Sequence, residues 1–202
     1  MFITFEGIDG SGKTTQLQRL RAALEKEKIE VVVTREPGGT ALAEAIRNYL
    51  LHSTQALEAR AELLLFGAAR AQHLIEVIEP AIARGAWVLC DRFADSSLAY
   101  QGGGLSLNND FIRQMNDFAT NGLTPDLTFL LDIEPAAAQV RRADETQDRI
   151  EERGLQFQER VRAAYRKIAD TEPERVMVLD GAWAADEIAN EIWGLAREHL
   201  AV

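Results

Sequence analysis

The segment Gly7-Ile8-Asp9-Gly10-Ser11-Gly12-Lys13-Thr14 satisfies the pattern G-x-x-x-x-G-K-[ST], and each residue type in it has a chemical reason to be there. Glycines let the backbone turn successive N–H groups inward around an anion, and the N-terminus of a following helix adds partial positive charge. Lys13 can then reach the β- and γ-phosphates of a nucleoside triphosphate, while the Thr14 hydroxyl coordinates Mg²⁺. The pattern follows an apolar run and precedes a helix-periodic segment. That context separates a phosphate loop from a merely glycine-rich turn.

Asp91 closes the apolar run from Ala86 to Cys90, which puts a carboxylate at the carboxyl end of a strand. Phosphate-loop proteins hold the magnesium shell there, so Asp91 is a second metal candidate, the alternative being a strand-end aspartate with only local hydrogen bonds. Arg92 projects toward the same edge, as does Arg35 after the second apolar run. Two guanidinium forks at neighbouring strand ends could clamp a second phosphate. For either arginine alone a surface ion pair is an equal reading. Phe66 and Arg70 are four apart in a helical segment and share a face, which would suit a nucleobase needing a ring to stack on and a fork to bond. On spacing alone, a core phenylalanine and a solvated arginine are the commoner outcome. His52, His73 and His199 read as non-catalytic.

The elements that must position these groups are legible as five short apolar runs: Phe2 to Phe5, Ile29 to Val33, Ala86 to Cys90, Leu127 to Leu131 and Val176 to Leu179. Between them, helical spacing recurs, as in Leu17, Leu20 and Leu24 or Ile188, Ile192 and Leu195. This alternation predicts an α/β fold, a five-stranded parallel sheet with helices on both faces, whose ligands bind beyond the carboxyl ends of the strands. Pro135 suits a first helical turn, and Pro37 and Pro125 punctuate loops. Pro80, inside a helical stretch from about Ala56 to Ala83, either kinks one helix or separates two. There is no internal repeat and no long linker, so residues 1–202 read as one domain.

With 202 residues, 47% hydrophobic and 27% charged, the chain can bury a full-sized core. A formal charge of −10 argues against general binding of nucleic-acid backbones, so any phosphate binding must be local. The single cysteine, Cys90, reads as a reduced core thiol. The N-terminus goes directly into Phe2-Ile3-Thr4-Phe5 without a basic leader, and nowhere do 18 apolar residues run together. A soluble, cytoplasmic protein without membrane partners is expected.

The motifs GIDGSGKTT, TREPGGT, ELLLFGAAR, DRFADSSLAYQGGG, PDLTFLLD and DRIE, in this order, resemble bacterial thymidylate kinases, from about Phe2 to Glu151 and more weakly beyond. The resemblance implies a P-loop nucleoside monophosphate kinase fold, phosphoryl transfer from MgATP to dTMP, and a homodimer. It implies that Gly7, Ile8, Asp9, Gly10, Ser11, Gly12, Lys13, Thr14 and Thr15 bind ATP, with Thr14 and Asp91 at Mg²⁺. Asp9 would face the acceptor's sugar and phosphate, and Arg35 and Arg92 would bind the dTMP phosphate. Phe66 would stack on thymine, Arg70 would bond it, and Ser97 and Gln101 would lie along base and sugar. Tyr100 would crowd the 2′ position. Residues 141–151 resemble a mobile lid, although bare composition reads as a solvated charged loop. Some thymidylate kinases carry an arginine where this chain has Gly10. The bacterial type supplies that charge from the lid, so Arg141, Arg142 or Arg149 joins Lys13 and Arg92 as catalytic candidates.

Two rivals remain. Another P-loop kinase acting on dUMP, CMP, AMP or a deoxynucleoside is disfavoured by TREPGG and AYQGGG. A GTP-dependent switch is disfavoured because no Asn-Lys-x-Asp motif occurs.

Overall fold

Each of the five apolar runs forms a strand in the computed structural model, which describes residues 1–143 and 148–200. The middle of the expected lid, residues 144–147, lies outside the described residues. The strands are β1 (Phe2–Glu6), β2 (Val31–Arg35), β3 (Trp87–Asp91), β4 (Leu127–Asp132) and β5 (Val176–Asp180). They form one sheet in the order β2-β3-β1-β4-β5, and every pairing is parallel. The second strand starts two residues later than the sequence predicts and runs on through Arg35, because its pairing with β3 continues to the Arg35–Asp91 register. Phe5 also registers with Asp91, so the carboxyl ends of β1, β2 and β3 finish side by side.

The helices are α1 (Lys13–Lys26), α2 (Ala41–His52), α3 (Ala59–His73), α4 (Glu79–Ala83), α5 (Ala94–Ser97), α6 (Asn109–Thr120), α7 (Pro135–Arg141), α8 (Leu155–Thr171) and α9 (Ala185–Arg197). Parallel strands buried on both faces need apolar side chains on each, and the two-residue period of β1 supplies them. Ile3 and Phe5 pack with Leu17, Leu20 and Leu24 of α1 and with Ile188 and Ile192 of α9. On α9 the third fully buried position is Ala196, while Leu195 is only half-buried. The opposite face of β1 carries Phe2, Thr4 and Glu6, all fully buried. There the Thr4 hydroxyl pairs with that of Thr128 at 2.7 Å, and Glu6 leaves an acid in the interior.

Pro80 resolves as a separator without a break. It sits in the first turn of α4, directly after a π-helical turn, Leu74–Ile78, that continues α3. A proline has no N–H to donate back one turn, and the widened turn before it accommodates its ring. Pro135 opens α7 as expected. Cys90 is fully buried.

Candidate active site

The backbone from Gly7 to Gly12 rises from the end of β1 and returns into α1, with φ of 132°, 82° and 96° at Gly7, Gly10 and Gly12. Only glycine adopts such angles without strain. A Cβ at Gly7 would stand 2.5 Å from the Leu131 carbonyl oxygen, and one at Gly10 2.6 Å from that of Ala138. Gly12 is the N-cap of α1, with no side-chain cap and no acid in the first turn, so the helix presents its own amides to whatever occupies the loop.

Lys13 is buried under the loop. Its ammonium donates to the carbonyls of Gly7 (3.1 Å) and Ile8 (3.0 Å) and lies 3.9 Å from Asp9. Burial, and then the nearby Arg92 charge, push its pKa below the usual lysine value. Beside it the Thr14 hydroxyl donates to Asp91 Oδ2 at 2.8 Å, so the two residues read as metal ligands stand together although 77 positions apart. Both line a cleft of about 620 Å³, shared with Lys13, Arg35, Arg92, Arg141 and Arg142.

Arg92 is where the two halves of the site meet. It follows β3 with φ 69°, and its backbone N–H donates to the Phe5 carbonyl. Its guanidinium donates to Asp9 Oδ1 (2.6 Å), the Tyr100 hydroxyl (3.0 Å) and the Gly7 carbonyl (2.8 Å). Tyr100 in turn donates to Asp9 Oδ2 at 3.2 Å, from a π-helical turn, Leu98–Gly104. Burial alone would raise the Asp9 pKa, but Arg92 and Lys13 together outweigh it and hold the carboxyl well below the usual range. Asp9 is therefore an anion in the resting site, and burial keeps the Tyr100 phenol protonated.

A smaller cavity of about 120 Å³ opens beyond Arg92, lined by Phe66, Tyr100, Ser96, Arg47 and Leu51. Phe66, half-buried, offers its ring to it. Arg70 sits deeper, 1% exposed, and bonds Glu36 (2.8 Å), Asn116 (2.6 Å), Ser97 (3.1 Å) and the Phe93 carbonyl (3.0 Å). Four of its five N–H groups are engaged, leaving one. Ser97 faces Arg70 in the interior, and the adjacent Ser96 lines the cavity instead. Gln101 is likewise buried, donating to Glu62 at 3.0 Å. Arg35 is exposed at the cleft mouth, held by both oxygens of Glu44 at 2.9 Å.

The three candidate lid arginines separate into two groups. Arg141 and Arg142 line the cleft, with Arg141 reaching toward the Gly10 carbonyl at 3.5 Å and Arg142 paired to Glu151 at 2.8 Å. Arg149 instead bonds the Leu50 carbonyl (2.8 Å) and Glu62 (2.7 Å), away from the cleft. Sequence reasoning passed over Glu6, Glu36, Glu62, Ser96 and Tyr165. Glu36 lies within TREPGGT, where nothing in the spacing shows that its carboxylate holds Arg70 and His73. Glu6 carried a usable signal, an acid ending an otherwise apolar strand.

A glycine loop between a central strand and a helix, with a lysine and a threonine opening that helix and the threonine bonded to an aspartate at the adjoining strand end, defines a P-loop nucleotide-binding protein. Comparison with known proteins narrows the class. A family model described as thymidylate kinase matches residues 5–192. A thymidylate kinase of Bifidobacterium longum is 50% identical over 197 residues, covering 93% of this chain and 95% of its own. One from Deinococcus radiodurans is 48% identical over 98% of this chain and 97% of its own. The crystal structure of a thymidylate kinase from Ehrlichia chaffeensis superposes with TM-score 0.80 at 37% identity, covering 97% of this chain and 98% of that one. The chain belongs to the thymidylate kinase family.

Proposed function

We propose that this protein transfers the γ-phosphoryl group of ATP to dTMP, giving dTDP and ADP on the way to dTTP. The observation that carries the reading is the Arg92 contact set. One guanidinium just past β3 reaches the phosphate loop through Asp9 and Gly7 and the neighbouring cavity through Tyr100, so donor and acceptor ends adjoin.

In this reading the amides of residues 7–15 and Lys13 hold the ATP phosphates. Arg92 and Arg35 hold the dTMP phosphate, with Arg47, which lines both cavities, as a further cation. Phe66 stacks on thymine, while Arg70, Ser97 and Gln101 act from the interior behind the cavity, where all three are buried. Tyr100, pinned between Asp9 and Arg92, would crowd the 2′ position and so favour deoxyribose. The acceptor is a phosphate monoester already largely dianionic near neutral pH, so no base is needed.

The obstacle is repulsion, about 4 kcal/mol per charge pair at 4 Å for an intermediate dielectric. Lys13, Arg92 and Arg142 offset it by convergent positive charge, and alignment does the rest. Thr14 and Asp91 fit Mg²⁺, since both offer hard oxygen atoms at one wall of the cleft. Among the described residues no group of three or more His, Cys, Asp or Glu could hold a metal unaided, which suits an ion that takes most of its shell from substrate phosphates and water. Bound there, Mg²⁺ would neutralise charge on the transferring phosphoryl group.

A homodimer and a cytoplasmic location are part of the same proposal. Exposed Leu64 of α3 and Phe111 and Phe118 of the neighbouring α6 offer apolar surface to a second copy. No helix among the described residues is long and apolar enough to cross a membrane.

The deciding experiment is an ADP-release assay with MgATP across dTMP, dUMP, UMP, CMP and AMP. dTMP should be the best acceptor, and turnover should collapse without an acceptor. A better rate with any other monophosphate overturns the assignment.

A further inference from the structure

Directly beneath Arg92, away from the cleft, lies a buried acid with no role in the reaction just described. Glu6 is the last residue of β1 and is 1% exposed. Its Oε1 accepts the backbone N–H of Phe93 at 2.7 Å. Its Oε2 accepts both the Ser96 hydroxyl (2.6 Å) and the Tyr165 hydroxyl (2.7 Å). Those two hydroxyls are the groups behind the Arg92 guanidinium, whose Nη1 points at Ser96 Oγ (3.4 Å) and Tyr165 Oη (3.2 Å).

The direction of these bonds follows from what a carboxylate can do. An ionised carboxylate only accepts, so the hydroxyl protons run toward Glu6, directly or through the 2.8 Å contact between Ser96 Oγ and Tyr165 Oη, and lone pairs are left facing Arg92. The chain therefore runs one way, from Arg92 through Ser96 and Tyr165 to Glu6, with a negative charge at its end. An amide in its place, bonded to Phe93 N–H through its oxygen, would put N–H groups against the hydroxyls. Their protons would then turn back toward the guanidinium. The other Glu6 oxygen fixes the main chain one residue past Arg92, whose φ of 69° is uncommon for a side-chain-bearing residue.

We propose that Glu6 is the positioning residue for Arg92, holding its guanidinium toward the acceptor phosphate through the Phe93 amide and the Ser96–Tyr165 hydroxyl pair. It touches no substrate. The inference rests on the dTMP kinase reading, in which Arg92 binds that phosphate. It goes beyond that reading by making acceptor affinity depend on an acid at the end of the strand that feeds the phosphate loop.

The test measures dissociation constants for dTMP and, separately, MgATP by titration calorimetry at pH 8, above the Glu6 pKa of about 7. The proteins are wild type, Glu6→Gln, Arg92→Lys and the double variant. Glu6→Gln should weaken dTMP about tenfold, the loss of roughly one charge-assisted hydrogen bond, and leave MgATP within about twofold. The double variant should bind dTMP no more weakly than Arg92→Lys alone, because Glu6 acts only through Arg92.

Wild-type dTMP affinity in Glu6→Gln overturns the proposal, as do losses that multiply in the double variant or an equal loss for MgATP. If Glu6→Gln does not fold, Ser96→Ala/Tyr165→Phe removes the chain from its other end. It should show the same dTMP-selective loss, and unchanged affinity there overturns the proposal equally. Failure of wild type to bind dTMP at all would instead sink the kinase reading, which keeps the two failures distinct.

Discussion

The side chain of Arg142 occupies the space above Gly10: a Cβ on Gly10 would stand 2.9 Å from Arg142 Cδ and 3.1 Å from its Cγ. A glycine in the phosphate loop and an arginine after α7 are thus complementary, the second filling the room that the first leaves. Arg142 also acts electrostatically on Asp9, so its charge reaches the centre of the site.

Arg142→Ala should therefore lower kcat about a hundredfold or more while changing the ATP KM much less, as expected for a donor that matters most as charge develops. Gly10→Ala should be worse, since φ 82° and the Ala138 carbonyl at 2.6 Å both resist a side chain. Steady-state kinetics on the two variants decides. Near-wild-type kcat in Arg142→Ala would remove it from the catalytic set.

Arg149 is expected to behave differently. Its partner Glu62 is fully buried and is also bonded by Arg153 and Gln101. Burial raises the Glu62 pKa, but Arg153 and then Arg149 outweigh it and hold the carboxyl below its ordinary value. Arg149→Ala leaves a buried carboxylate with one guanidinium fewer, at a cost of about 1.5–3 kcal/mol. Thermal melts should show lowered Tm, with kcat within about threefold of wild type at a temperature where the variant is folded. A hundredfold loss of kcat at unchanged Tm would return Arg149 to the cleft.

These two arginines mark how far the sequence can be read. The glycine loop, the alternating elements and the strand-end placement of Asp91, Arg92 and Arg35 are local patterns, and periodicity exposes them. Whether Arg142 or Arg149 faces the phosphates depends on Glu62, some eighty residues earlier, and no spacing rule links the two. The same holds for Arg70 and Ser97, where the family resemblance implies a place along the base and the interior claims most of their hydrogen bonds. Glu6 is instructive in the other direction, since a strand-ending acid was visible but its partners at Ser96 and Tyr165 come from elements meeting only in three dimensions.

The Thr14–Asp91 hydrogen bond gives a prediction about the metal. Asp91→Asn keeps the shape and removes the charge, so the pair remains in place but attracts a divalent cation less. The Mg²⁺ concentration for half-maximal rate should rise roughly ten- to a hundredfold, with kcat largely recovered at saturating Mg²⁺. An unchanged Mg²⁺ requirement would show that Asp91 makes only the local bond to Thr14.

Glu6 also gives the fold a pH dependence whose sign can be worked out. Burial first, and the nearby Asp95 second, push its carboxyl up to about 7, against the lowering effects of Arg92 and the Ser96 and Tyr165 hydroxyls. Lys13 is the remaining charge that senses it from α1. A carboxyl with a raised folded pKa holds its proton more tightly in the fold than in the unfolded chain. Its contribution to stability is therefore complete below the ordinary carboxyl value near 4.5 and is lost as pH rises through about 7. Asp9 has the opposite sign, its stabilisation present above its ordinary value near 3.8 and lost as pH falls below it, so the two windows barely overlap. Ligand-free wild type should lose stability between about pH 4.5 and 7, by an amount on the order of a few kcal/mol at most. Glu6→Gln cannot titrate and should flatten that part of the Tm profile. Parallel Tm profiles for the two proteins across this range would show that Glu6 is not the group responsible.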